Sequence, residues 1–162
     1  MHYLFNFDKL SYVKGEKPHG CILCLIRDKS EDVIDLSVYE DSHFIATVNL
    51  YPYNPAHVMI FPNRHIVDVR EFTEAEDRRR SILVRHFVSL IERTHAPSGF
   101  NIGYNMGAVA GASIDHLHLH VMPRYPREIG IADLVAGQRV LIEDPRVTQE
   151  RLTAELSEFP VP

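Results

Sequence analysis

A chain of 162 residues with 45% apolar and 24% charged content has the length of one domain and the composition of an ordinary globular one. Its formal net charge of −5 supplies no basic field to recruit nucleic acid, so an anionic ligand must be held by local groups. The opening residues, Met1 to Phe7, lack the basic start and long apolar core of a signal peptide, and no stretch approaches membrane-spanning length, so the expected compartment is the cytoplasm.

Residues 1–20 read as an irregular N-terminal extension, residues 21–126 as the main domain, and residues 127–162 as a C-terminal extension packing on the domain or on a dimer partner. The two cysteines, Cys21 and Cys24, are separated by two residues on a short helical turn expected over residues 21–29. In a reducing compartment that spacing signals metal or redox chemistry before a structural disulfide. A thioredoxin-like reading would need a preceding strand and a βαβ unit, and neither is visible.

Residues 43–50 read as a strand, residues 51–55 as turn chemistry, and residues 57–61 as the second strand of a hairpin, stopped by Pro62-Asn63. Thr73 and Glu76 form a capping-box pair. The helix they open carries an apolar stripe, Ile82, Leu83, Phe87, Leu90 and Ile91, and ends before Pro97. Arg78, Arg79 and Arg80 read as a solvated face partnered by Glu74, Glu76 and Asp77. Two strands follow, over residues 100–105 and 116–122. Residues 131–142 mix helical and extended signals, and residues 147–158 read as a terminal helix. The class is α+β: an antiparallel sheet with one long helix packed on it and its helices on one side.

The most informative stretch runs from Asp115 to Arg124. In an extended strand His116, His118 and His120 would line one face while Leu117, Leu119 and Val121 turn to the other. A single half-buried histidine is usually a satisfied core or surface residue. Three on one face each need partners, and their proximity is unfavourable unless the rings stay neutral or bind something. Two readings follow: a three-histidine metal site, or a neutral imidazole nucleophile supported by its neighbours. Upstream, residues 101–113 form a strand running into a Gly/Ala-rich loop whose backbone N–H groups suit a phosphate.

Residues 111–122 resemble the histidine triad signature, His-x-His-x-His followed by two apolar residues. The similarity runs from about Cys21 to Arg124, through residues 49–60 and 99–103, and looks most like the bacterial dinucleoside polyphosphate phosphorylase and hydrolase branch. The resemblance implies a homodimer whose sheets join, and a nucleophile at His118 that forms a covalent nucleotidyl intermediate at the α-phosphate. It assigns His120 and His57 to flanking roles, and Ser113 and Asn105, with Gly111 in the phosphate loop, to the phosphate and the leaving group. Asn49 matches a ribose-binding position and Leu50 a contact near the base, although Asn49 also reads as a turn residue at the end of a strand.

The same resemblance makes Cys21, Cys24, His65 and His116 look like the zinc ligands of related galactose-1-phosphate uridylyltransferases and of some bacterial triad proteins. Two thiolates and two imidazoles suit a closed, structural Zn²⁺ site. Spacing alone does not choose His65 over His19 or His43. No organic cofactor is expected. The uridylyltransferases carry Gln where this chain has His120, and contain two such units, which argues against transfer to a sugar phosphate. The expected activity is cleavage of dinucleoside polyphosphates such as diadenosine tetraphosphate, with water or inorganic phosphate as acceptor and Arg124 and Arg127 as candidate grips on the distal phosphates. Nucleoside phosphoramidase activity and a nucleotide-binding regulatory role with little turnover are the alternatives.

Overall fold

Phe44–Val48 and Val58–Pro62 are runs of five residues in which every side chain is buried. A strand covered on one face alternates buried and exposed, so an unbroken buried run has cover on both faces. The computed structural model, which describes residues 2–3, 19–126, 138–139 and 143–162, supplies that cover. In chain order its elements are β1 (His2–Tyr3), α1 (Ile22–Arg27), β2 (Ser37–Glu40), β3 (Phe44–Val48), β4 (Val58–Pro62), α2 (Glu74–His95), β5 (Gly99–Tyr104), β6 (Leu119–Arg124), β7 (Gln138–Arg139) and α3 (Pro145–Glu158). Strands β2 to β6 form one antiparallel sheet in the order β2-β3-β4-β6-β5, and β1 pairs separately with β7 in parallel.

The α+β class with an antiparallel sheet is as expected, but the helices are not all on one side. One face packs Ala46, Val48, Val58, Ile60, Leu119 and Val121 against Leu83, Phe87, Leu90 and Ile91 of α2 and Leu152 of α3. The opposite face packs Ile45, Met59 and Phe61 against Leu23 and Ile26 of α1. Helix α1 therefore sits across the sheet from α2, on the side where the cysteines and imidazoles lie.

Thr73 and Glu76 make the expected capping box, with Glu76 N–H donating to Thr73 Oγ1 (3.3 Å) and Thr73 N–H to Glu76 Oε2 (2.8 Å). Helix α2 ends at Ala96, whose φ of 45° breaks the helix just before Pro97. Ile82, expected in the stripe, is only half-buried. The arginine run is not one solvated face. Arg78 pairs with Glu74 outside, but Arg79 turns inward to Asp41 (2.6 Å) and the Tyr39 hydroxyl (2.5 Å). Arg80 pairs with Asp77 and lies 5.0 Å over the Phe72 ring, while Glu76 is held by Arg64 (2.8 Å).

Helix α3 packs on α2, β2 and β3. Asp144 caps it, Pro145 occupies its first turn, and Phe159 beyond its end stacks on His86 at 4.5 Å. Among the described residues no helix is long and apolar enough to cross a membrane. Most of the 131–142 stretch lies outside the described residues.

Candidate active site and metal centre

Strand β6 begins at Leu119, so His116 and His118 precede it instead of forming its first turns of pleat; His116 lies in a bend. Leu117 N–H donates to the Ile66 carbonyl (2.7 Å), which pulls this segment away from regular pairing and toward the chain that follows β4. His116, His118 and His120 are all buried, yet they do not converge on one point. Among the described residues the metal-competent cluster is Cys21, Cys24, His65 and His116.

The imidazoles His57, His118 and His120 form a second group. His57, just before β4, is fully buried, and His120 on β6 lies across from Met59 of β4. Tyr53 N–H donates to His57 Nδ1 (3.2 Å), so the His57 ring proton belongs on Nε2. That nitrogen is 2.9 Å from His120 Nδ1, which must then accept, leaving the His120 proton on Nε2. His118 Nδ1 lies 2.7 Å from the His116 carbonyl, an acceptor only, so Nδ1 carries the proton and Nε2 carries a lone pair. The His118 and His120 rings are 4.8 Å apart and nearly perpendicular. Two backbone groups thus set the tautomers of three rings.

Burial keeps the rings uncharged. It lowers the pKa of His57 to about 3, with a smaller contribution from the mutual repulsion that protonated His57, His120 and His118 rings would suffer, and that of His120 to about 4. Burial also lowers His118, against a hydrogen bond to the His116 carbonyl that pulls the other way. The loop carrying Tyr53 is fastened by Asn54, whose Nδ2 donates to the Pro123 carbonyl (2.8 Å), and by Ala56, which adopts a left-handed φ of 62° immediately before His57. The Tyr53 ring stacks on His57 at 5.6 Å.

In the metal-competent cluster Cys24 Sγ is 3.3 Å from His65 Nδ1, and both Cys21 Sγ and Cys24 Sγ are 3.5 Å from His116 Nδ1. All four ligand atoms lie within 4.8 Å of one another. A tetrahedron with Zn–S near ~2.3 Å and Zn–N near ~2.0 Å has edges of about 3.3 to 3.8 Å, so these spacings fit Zn²⁺. His116 Nε2–H donates to the Pro62 carbonyl (2.9 Å), the outer-shell bond that orients a ligating imidazole and leaves Nδ1 to bind. Burial and the adjacent Cys21 push the Cys24 thiol up to about 11, so a thiolate pair here calls for a cation. Neither His19 nor His43 joins the group.

A cavity of about 360 Å³ opens beside these groups, with Asn49, Leu50, Met59 and Ile114 among its lining residues. Asn49 also serves the turn, since its Oδ1 accepts from Tyr51 N–H (2.9 Å). Ser113 is exposed in the loop that returns to the imidazoles, and Asn105 is half-buried at its start. Gly107 and Gly111 turn this loop with φ of 81° and 91°, and a Cβ on Gly111 would sit 3.7 Å from the Asn105 amide nitrogen. Arg124 lies at the far end of β6, about 20 Å along the strand from His118 at ~3.3 Å per residue, and donates to Asn101 (2.9 Å). That hydrogen bond ties its side chain to β5. Arg127 lies outside the described residues. Sequence reasoning missed the Tyr53 N–H and the carbonyls of His116 and Pro62, all backbone groups, and the cavity residue Asp32.

A family model described as the HIT domain matches residues 31–127. The chain is 34% identical over 116 residues to an AP-4-A phosphorylase of Mycobacterium tuberculosis, covering 71% of this chain and 60% of that protein. It is 34% identical over 93 residues to an asymmetrical bis(5'-nucleosyl)-tetraphosphatase of Schizosaccharomyces pombe, covering 57% of this chain and 51% of that protein. A zinc-bound histidine triad family protein from Mycobacterium smegmatis superposes with a TM-score of 0.67 at 24% identity, over 86% of this chain and 94% of that one, a likeness of fold.

Proposed function

From the premise that this chain belongs to the HIT domain family, we propose that it cleaves dinucleoside polyphosphates at the α-phosphate through a nucleotidyl-His118 intermediate. The observation that carries this reading is the tautomer of His118: its Nδ1–H is committed to the His116 carbonyl, which leaves the Nε2 lone pair as a nucleophile. In the first step that lone pair forms a bond to the α-phosphorus. The bond from phosphorus to the bridging oxygen breaks, and the departing nucleotide takes its electron pair. His120 Nε2–H is the donor available to the charge growing on the phosphate oxygens, backed by His57 through the 2.9 Å contact. Ser113, Asn105 and the Gly111 loop belong to the same oxygens, and Asn49 and Leu50 to the ribose and base. In the second step water or inorganic phosphate attacks phosphorus, the P–N bond breaks and His118 is restored.

The named activities of the phosphorylase and tetraphosphatase relatives support this substrate class. Cys21, Cys24, His65 and His116 would hold Zn²⁺ as a closed structural site, consistent with their spacing and with both thiols being free. A second copy of the chain completes the proposal: β5 lies at one edge of the sheet with Ile102 exposed, a strand that a homodimer could extend.

The test is to incubate the full chain with diadenosine tetraphosphate, with and without phosphate, and to separate the products. AMP with ATP means water is the acceptor; ADP with ATP, appearing only when phosphate is present, means phosphorolysis. His118→Gly should lose turnover yet still bind nucleotide, and rapid quenching of the wild type should reveal a nucleotide adduct on His118. Full activity in His118→Gly overturns the assignment. Activity restricted to nucleoside phosphoramidates, or binding without turnover, would favour the two alternative readings.

A further inference from the structure

The cavity beside Asn49 is walled largely by aliphatic side chains, among them Ile22, Ile26, Val33, Ile34 and Leu50, and its lining includes one carboxylate, Asp32. The other small polar side chains in the lining already have internal partners: the Thr47 hydroxyl donates to the Val48 carbonyl (3.3 Å) and Asn49 Oδ1 accepts from Tyr51 N–H (2.9 Å). Asp32 is held differently. Ser30 Oγ donates to Asp32 Oδ2 (3.2 Å) while accepting from Asp32 N–H (3.2 Å), which fixes the carboxylate without consuming its capacity to accept.

The loop beneath it is braced as well. Lys29 takes a left-handed φ of 54° after α1, Ser30 N–H donates to the Leu25 carbonyl (3.0 Å), and Lys29 Nζ bridges Asp35 (3.4 Å) and Glu40 (3.0 Å). A carboxylate in the wall of a site for a polyanion repels phosphate. It is complementary to the one part of a nucleotide that offers N–H donors, the edge of the base. Aliphatic walls accept the flat faces of that base but carry no information about its edge.

We propose that Asp32 accepts a hydrogen bond from the exocyclic amino group of a purine seated in this cavity, and so selects an amino-purine nucleotide over hypoxanthine. The inference rests on the nucleotide reading of the site and extends it to a specificity-determining residue. A hydrogen bond to a charged acceptor is worth enough to separate two otherwise isosteric bases by about tenfold or more in affinity. A base that instead presents a carbonyl to Asp32 leaves two acceptors facing each other, which widens the gap.

The experiment is calorimetric titration of the full chain with AMP, GMP and IMP, for the wild type, Asp32→Ala and Asp32→Asn. Asp32 is exposed, so neither substitution removes core contacts, and circular dichroism of the variants controls for the fold. The wild type should bind the tighter of AMP and GMP about tenfold more strongly than IMP. Asp32→Ala should bring that ratio close to one, and Asp32→Asn, which adds a donor, should improve IMP relative to AMP. An unchanged ratio in Asp32→Ala, or a wild type that does not distinguish IMP from either amino-purine, overturns the inference while leaving nucleotide binding intact. Failure of all three nucleotides to bind removes both this inference and the reading beneath it.

Discussion

At His57 and His120 one physical term, burial, does two things: it holds the rings neutral and it makes protons destabilising. Their folded pKa values, about 3 and about 4, lie below the ordinary 6.5. As pH falls the unfolded chain therefore takes up protons first. Stability from this source is complete above pH 6.5 and is lost progressively toward pH 4 and then 3. Urea midpoints measured between pH 7 and about 4.5, above the usual carboxylate range, should fall with pH, and His120→Gln should show a shallower decline than the wild type. Parallel slopes would mean that His120 does not titrate as its surroundings dictate. His118 and His120 were legible in the sequence because alternation marks them, and His57 only through the family resemblance. Their tautomers were not, because the groups that fix them are the Tyr53 N–H and the His116 carbonyl, and backbone atoms leave no trace in residue identity. The cysteine pair was legible for the opposite reason, because residue identity and the Cys-x-x-Cys spacing are written in the sequence itself. Spacing did not choose His65 as their companion over His19 or His43; the resemblance did, and in the fold the Leu117 to Ile66 hydrogen bond accompanies the approach of the His65 and His116 rings to 4.8 Å.

At the scale of elements, helix α2 was the most readable part of the chain, because its start is encoded twice, by Thr73 and by Glu76. Thr73→Val removes the hydroxyl that accepts from Glu76 N–H and should cost about 1 kcal/mol, measured as a lower urea midpoint with unchanged slope. Helix α3 is a structural part of the core: Leu152 is fully buried among residues of α2 and the sheet. Leu152→Ala should cost about 2 to 5 kcal/mol, and a loss below 1 kcal/mol would show that α3 is docked more loosely than its burial implies. Strand β2 was not expected. Its alternation is interrupted by a register shift between Ser37 and Tyr39, which puts Val38 and Tyr39 together against one core and hides the period of two. The position of α1 was missed although its signal was present: Phe44–Val48 and Val58–Pro62 are buried along their whole length with Thr47 their one polar side chain, and strands without an exposed face need a second layer.

For the whole molecule, the sheet separates two kinds of work. Helices α2 and α3 fill one face with apolar contacts, and the other face carries the thiols, the imidazoles and the cavity. Folding energy on the second side would come partly from the metal, because that face has the smaller apolar cluster. Treating the zinc-loaded protein with a strong chelator should therefore lower its thermal midpoint, and Cys21→Ser should start from the lower value and respond little. Equal zinc content in wild type and Cys21→Ser would remove Cys21 from the site. The hydrogen bond from His118 to the carbonyl of a residue in the thiol cluster has a pharmacological corollary. A small molecule need not resemble a nucleotide, or enter the place where one sits, to silence this protein. By stripping His116 from Cys21 and Cys24 it would swivel that carbonyl, let the ring proposed as the nucleophile carry its proton on the wrong nitrogen, and, under that proposal, act as a remote antagonist whose potency ignores substrate concentration.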